Sequence, residues 1–339
     1  MKRILPSLLA GALIAAQGCT GGRHTETGDA EKMEIERYDL ELSTYPASDT
    51  VERADFQSRY ADINDIMIHL YASGHPEVRP EVTDSTLLAY ATSKAVGMFG
   101  CAIRERLGSL DSVEHALGAA AQRSQTLIPE MKWPRLYGVI SPYSQSIIIS
   151  GDSLALIGTN HYLGADDEAY KGFDNYIRKE KCLRALPRQL AESLLNTQMP
   201  YAPSEGDATA LSRMLYAGAV SWIAARLTAT DNFGDMLGWD DGDSRWAADN
   251  EARVWETMIN RNILYSTDPT AGERLTHASP ATTLINPEAP GQIGTWIGMR
   301  IVDAYMKGHP DMKAAELLKK DFYGNPMTLV ESGYNPLAR

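Results

Sequence analysis

A cysteine at position 19, preceded by Ala16-Gln17-Gly18, has the setting in this chain that most directly specifies a reaction. Small residues before a cut, with a cysteine as the first residue after it, resemble a lipobox, with Ala16 standing where leucine is the usual choice. Such a cysteine carries lipid on its thiol and, once the cut is made, is the new amino-terminal residue. Upstream, Lys2 and Arg3 precede the uncharged run ILPSLLAGALIAA from Ile4 to Ala16, which is too short to span a bilayer as a permanent helix and reads as a signal-peptide core. Residues 1–18 are therefore expected to be removed and Cys19 to carry lipid, and several acyl chains on one residue suffice for stable membrane attachment.

The remaining chemistry-bearing residues form no familiar catalytic set. The seven histidines stand at 24, 69, 75, 115, 161, 277 and 309, and no two are four apart on a helix, so the H-E-x-x-H zinc signature is absent. His161, in GTNHYLGADD, follows an expected strand where a cleft could open, although a histidine there is more often a hydrogen-bonded structural group. No nucleophile elbow, phosphate-binding loop or dinucleotide fingerprint is present. The acidic stretch 231–246, DNFGDMLGWDDGDSRW, offers hard oxygen ligands, but its spacing lacks the bidentate Glu at the twelfth position of a calcium loop. It reads as a solvated loop with Asp243 capping the next helix. Arg188 and Glu192, one turn apart in ALPRQLAESLL, suit an i,i+4 ion pair. Cys101 and Cys182 lie in helix-like segments and are expected to be free, buried thiols, with a disulfide between them as the alternative in an oxidising envelope. No cofactor is expected. The net charge is −12, and loss of Lys2 and Arg3 makes it more negative; with no basic stripe, nucleic acid is excluded as a partner.

Residues 20–34, TGGRHTETGDAEKME, carry almost no apolar content, so residues 19–34 read as a lipidated, flexible tether and residues 35–339 as a single domain. IERYDLEL, 35–42, alternates as a strand would. Helices are expected at 51–72, 83–107 and 111–127, the last capped by Asp111 with Glu114 three residues on. RLYGVIS, SIIIS and SLALIG between Pro134 and Gly158 read as three short strands of a small antiparallel sheet. Helical periodicity returns at 183–196, 207–227, 243–261, 290–307 and 311–320, and the glycines at 291, 294 and 298 suit close helix packing. The expected class is α+β, rich in helix, with one small sheet against which the 183–196 helix packs and in which Ile148 and Leu156 are buried.

Residues 111–177 resemble the gliding-motility lipoprotein GldB family of Bacteroidetes, through WPRLYGVIS, SIIISGDSLALIG and above all HYLGADDEAYKGF. ILYSTDP at 263–269 and PGQIGTWIGMRIVDAYM at 290–306 extend the resemblance over most of the chain after the tether. That family is more distantly similar to zinc peptidases of the gluzincin type, which implies a zincin-like scaffold. In such peptidases a helix after the sheet bears two metal ligands and a later helix a third. Here those positions fall on Arg188, Glu192 and Ala217 in RMLYAGAVSWIAARL, and only Glu192 could ligate. The resemblance implies a non-catalytic envelope lipoprotein binding a protein or peptide-like ligand in a degenerate cleft lined by His161, Tyr162, Arg188, Glu192, Trp222 and Trp296. The alternative is an envelope hydrolase acting on peptide or cell-wall material through an unrecognised site. Thr20 in place of an aspartate after Cys19, and the lack of an acidic export run, point to an outer-membrane anchor facing the periplasm.

Overall fold

The computed structural model describes residues 30–142 and 144–338; the signal segment, Cys19 and the first part of the tether lie outside the described residues. The far end of the tether is already part of the body. The Met33 amide donates to the Glu114 carbonyl, and Lys32 pairs with Asp111 and Glu114. Residues 32 and 33 are thus tied to the body ahead of residue 35.

The segment expected as a strand at 35–42 divides into β1 (Ile35–Glu36) and α1 (Tyr38–Thr44). Tyr38 and Leu42, one turn apart, are both buried, so from Tyr38 onward the spacing that resembled alternation is one helical face. The expected 51–72 helix is interrupted at Tyr60, giving α2 (Thr50–Arg59) and α3 (Ala61–Gly74). The next is also broken, into α4 (Asp84–Ala91) and α5 (Lys94–Arg106), where Ser93 caps the second piece. α6 (Asp111–Leu127) has the expected bounds but not the expected cap. The Glu114 carboxylate instead accepts from the Ile35 amide at 2.9 Å and from Lys32, tying α6 to β1.

The sheet consists of β1, β2 (Arg135–Val139), β3 (Ile147–Ser150) and β4 (Leu154–Gly158), in the order β1-β2-β4-β3. It is mixed rather than antiparallel: β2 lies parallel to both β1 and β4, and only the β3–β4 hairpin is antiparallel. The chain leaving β2 passes over the position β4 will fill and starts β3 at the edge. Leu156 on β4 is fully buried, whereas Ile148 on the edge strand is half-buried.

Beyond the sheet come α7 (Asn175–Lys179), α8 (Leu186–Gln198), α9 (Ala210–Thr228), α10 (Asp241–Asn260), α11 (Pro269–Thr276), α12 (Ile293–Gly308), and the short α13 (Lys320–Tyr323) and α14 (Met327–Glu331). α8 packs on β3, and α9 is buried along nearly its whole length among α6, α8, α11 and α12. Gly218 and Gly298 let α9 and α12 meet backbone to backbone; a Cβ on either would collide with the other helix's main chain. The fold class is α+β, helix-rich, with one four-stranded sheet. Among the described residues no single helix is long and apolar enough to cross a membrane.

Candidate functional site

The carboxyl ends of β4 and α7, the start of α8 and the 235–241 turn surround a cleft of three adjoining hollows of about 760, 270 and 240 Å³. Glu180, just after α7, lines all three. Its Oε2 accepts from the Arg188 guanidinium and, at 2.9 Å, from the Gln189 amide. Its Oε1 lies against Gly238, whose φ of +65° and missing Cβ make the approach feasible.

Arg188 also donates to Glu192 Oε2 at 3.1 Å, and Ser221 on α9 donates to the other Glu192 oxygen at 2.8 Å. Burial pulls the Arg188 pKa down, but the Glu192 and Glu180 carboxylates override it and hold the guanidinium above its ordinary value. Burial pushes the Glu192 pKa up, with Arg188 and Ser221 holding part of that back. Gln189, next on α8, accepts the Tyr162 hydroxyl at 2.7 Å. One hydrogen-bonded line therefore joins Tyr162, Gln189, Glu180, Arg188, Glu192 and Ser221 across four elements.

At the sheet end, buried His161 is engaged at both ring nitrogens: Nε2 faces the Pro142 carbonyl at 3.1 Å and Nδ1 faces Lys181 Nζ at 3.1 Å. Burial and the Lys181 charge depress its pKa to about 4, so the ring is neutral at pH 7; Nε2–H donates to the carbonyl and Nδ1 accepts from the lysine. Burial also lowers the Lys181 pKa, and its ammonium sits 5.1 and 4.9 Å from the ring centres of Tyr170 and Phe173.

A family model for gliding motility protein GldB matches residues 23–336. The chain belongs to the GldB family. It is accordingly a cell-envelope lipoprotein related to gliding motility. No curated protein and no solved structure matches the chain.

The three positions singled out in the sequence as metal-ligand equivalents, Arg188, Glu192 and Ala217, do not fit a metal. Arg188 has only donors, which go to Glu180 and Glu192, and Ala217 offers no ligand atom. Among the described residues no three His, Cys, Asp or Glu side chains converge on one point. The acidic 231–246 segment is used locally. Asp240, not Asp243, caps α10, with Asp243 returning the reciprocal bond, and Asp240 pairs with Lys179 at 2.8 Å.

The structure brings His161, Tyr162 and Arg188 together on the cleft wall and places Glu192 behind Arg188. Trp222 is elsewhere: its indole donates to Asp303 on α12 at 3.1 Å and Arg226 stacks on it. Trp296 is a second layer, 6.1 Å from Trp239, and Trp239 is the aromatic that lines the cleft. Sequence reasoning missed Glu180, Gln189, Lys181 and Trp239. Glu180 and Lys181 sit in the charged run RKEKC, which reads as a solvated surface, and Trp239 is masked by the aspartates around it. The two thiols are unpaired, as expected, but Cys101 is exposed and Cys182 half-buried on the cleft wall.

Proposed function

We propose that this GldB-family lipoprotein is a non-catalytic binder that takes a protein segment or peptide-like ligand into the cleft of a degenerate zincin-like scaffold. The observation that carries this reading is the arginine held between two carboxylates. By the resemblance to zinc peptidases Arg188 takes the place of a metal ligand, and Glu180 and Glu192 offset its charge. One guanidinium against two carboxylates leaves the cluster mildly acidic, and its amide and carboxylate groups suit the donors and acceptors of a polypeptide main chain. Gln189 between them is an amide and has no acid or base to lend.

The hydrolase reading draws on the His161–Lys181 contact, since paired titratable groups in a cleft are the usual mark of proton transfer. Against it, the neutral ring already donates through one nitrogen and accepts through the other, leaving no basic nitrogen for a substrate proton. We further infer, from the signal sequence and Thr20, that Cys19 anchors the chain in the outer membrane with the body in the periplasm.

Two measurements test these statements. The lipid-free mature chain is incubated with a fluorogenic peptide library with and without a chelator. Binding without turnover is expected; chelator-sensitive cleavage that disappears in Glu192→Ala would overturn the non-catalytic reading. In cells, Cys19→Ala is expected to leave the protein unprocessed or soluble, and membrane association equal to the wild type would refute the lipid anchor.

A further inference from the structure

One row of α6 runs out of the cleft and into a hollow that the cleft residues do not reach. Ala116, Ala119, Arg123, Thr126 and Leu127 recur at helical spacing and so share one face of α6. The first three border the 760 Å³ hollow and the last three a further hollow of about 540 Å³, with Arg123 common to both. None of the five is buried, and at 1.5 Å per residue the row is roughly 16 Å long.

The two ends of the row differ in chemistry. Towards the cleft, Ala116 and Ala119 carry so little side chain that a main chain can approach the helix closely. At the other end, Leu127 meets a hollow that Met306 on α12 and Met312 also line, and thioether side chains adapt to apolar groups of varied shape. Arg123, Lys313 and Glu130 border it as well, two cations to one anion in a chain whose net charge is −12. Arg123 and Lys313 form no ion pair among the described residues. Arg123 Nη1 donates to the Leu227 carbonyl at 2.7 Å, which ties the guanidinium to the end of α9, and the rest of its fork matches a carboxylate.

We propose that the 540 Å³ hollow is an apolar subsite of the cleft, and that the ligand is an extended polypeptide with a carboxylate two residues from a large apolar side chain. The carboxylate sits on Arg123 and the apolar group against Leu127, Met306 and Met312. The proposal rests on the reading of the cleft as a peptide site. Arg123 and Leu127 are one turn apart, about 6 Å along α6, and alternate side chains of an extended chain lie about 6.6 Å apart on one face. An extended segment also keeps its main-chain donors and acceptors for the amide and carboxylate groups around Glu180 and Gln189, whereas a helix has spent them internally.

The mature chain with Cys19→Ser and Cys101→Ser, isotope-labelled at its methionine methyl groups, is titrated with a capped peptide of Gly-Ser repeats carrying Leu-Ser-Asp-Ser-Leu at its centre, which reads alike in both directions. The Met306 and Met312 resonances, assigned through Met306→Leu and Met312→Leu, are expected to shift while the exposed Met98 and Met327 stay in place. Maleimide alkylation of Cys182, on the wall of the 760 Å³ hollow, should slow over the same range and so report occupancy of the cleft. Changing the peptide's Asp to Asn, or both Leu to Ser, should weaken binding about tenfold. Arg123→Gln should abolish the difference between the Asp and Asn peptides, its other methionine resonances showing that it folds. Protection of Cys182 with Met306 and Met312 unmoved, or equal binding of the three peptides, overturns the subsite and leaves the cleft reading standing. Methionine shifts without protection of Cys182 separate the hollow from the cleft and overturn the proposal. If sodium laurate moves the same methyls at a lower concentration than the peptide, the occupant is an acyl chain and the peptide assignment falls. If no peptide has either effect at millimolar concentration, the subsite and the cleft reading fall together.

Discussion

Two clusters of buried charge hold this molecule together, and they differ in whether anything is left over. In the first, Asp39 is fully enclosed. It takes a bidentate bond from Arg37 at 2.9 Å, the Thr159 hydroxyl at 2.7 Å and the Leu40 amide at 2.9 Å, while Arg37 also reaches the Leu107 carbonyl. That cluster joins α1 to the end of β4 and lines none of the cleft hollows. In the second, Glu180, Arg188 and Glu192 bond one another, but Glu180 and Arg188 border open space. A charge whose lone pairs are all spent inside the protein serves the scaffold, whereas one with a lone pair facing a hollow is available to a ligand.

The comparison breaks most readily at Asp39. Asp39→Ala should cost about 3–5 kcal/mol in urea unfolding, because it strands a guanidinium and a hydroxyl away from water. A loss below that of any cleft variant would reverse the ranking. The next effect is titration of the cleft's sheet end. The folded state holds the His161 pKa at about 4, below its ordinary 6.5, so the unfolded chain takes up the proton first. Stability is intact above about pH 6.5, falls by up to roughly 3 kcal/mol as the pH drops towards 4, and levels off below that. His161→Gln should flatten this part of the stability curve, and an unchanged slope would show that another group carries it.

Arg188→Met should cost roughly 1–3 kcal/mol by leaving two carboxylates facing each other at the cleft floor, less than Asp39→Ala because water can enter. Adding Glu180→Gln and Glu192→Gln should recover most of that loss without recovering peptide binding. Glu180→Gln alone should move stability by under about 1 kcal/mol, since the group is partly hydrated, yet weaken peptide protection of Cys182. A large stability loss with binding intact would make Glu180 a scaffold residue like Asp39.

Local signals in the sequence were legible where a contact is local. α6, the three strands before Gly158 and the Arg188–Glu192 pair follow from spacing alone. The misreadings share a long-range cause. Asp111 and Glu114 have the form of a helix cap, but Lys32 and the Ile35 amide, far away in sequence, claim them. The direction of β2 relative to β4 depends on a crossing that no residue in either strand records. Of the cleft, His161 was visible because its type is informative beside a strand end, and Arg188 through the resemblance to zinc peptidases. Glu180 was not, since its role depends on Gly238 giving way to it across the fold.

The contact between Gly218 and Gly298 reaches further than the two helices it joins. Trp296 lies two residues before Gly298 on α12, it backs Trp239, and Trp239 forms a wall of the cleft. Replacing either glycine's hydrogen with a methyl group would lever α12 outward and shift that wall with it. The calibre of the cleft is thus gauged at a distance, by the absence of side chains, and drift at these positions would retune what the cleft admits before it unmade the fold.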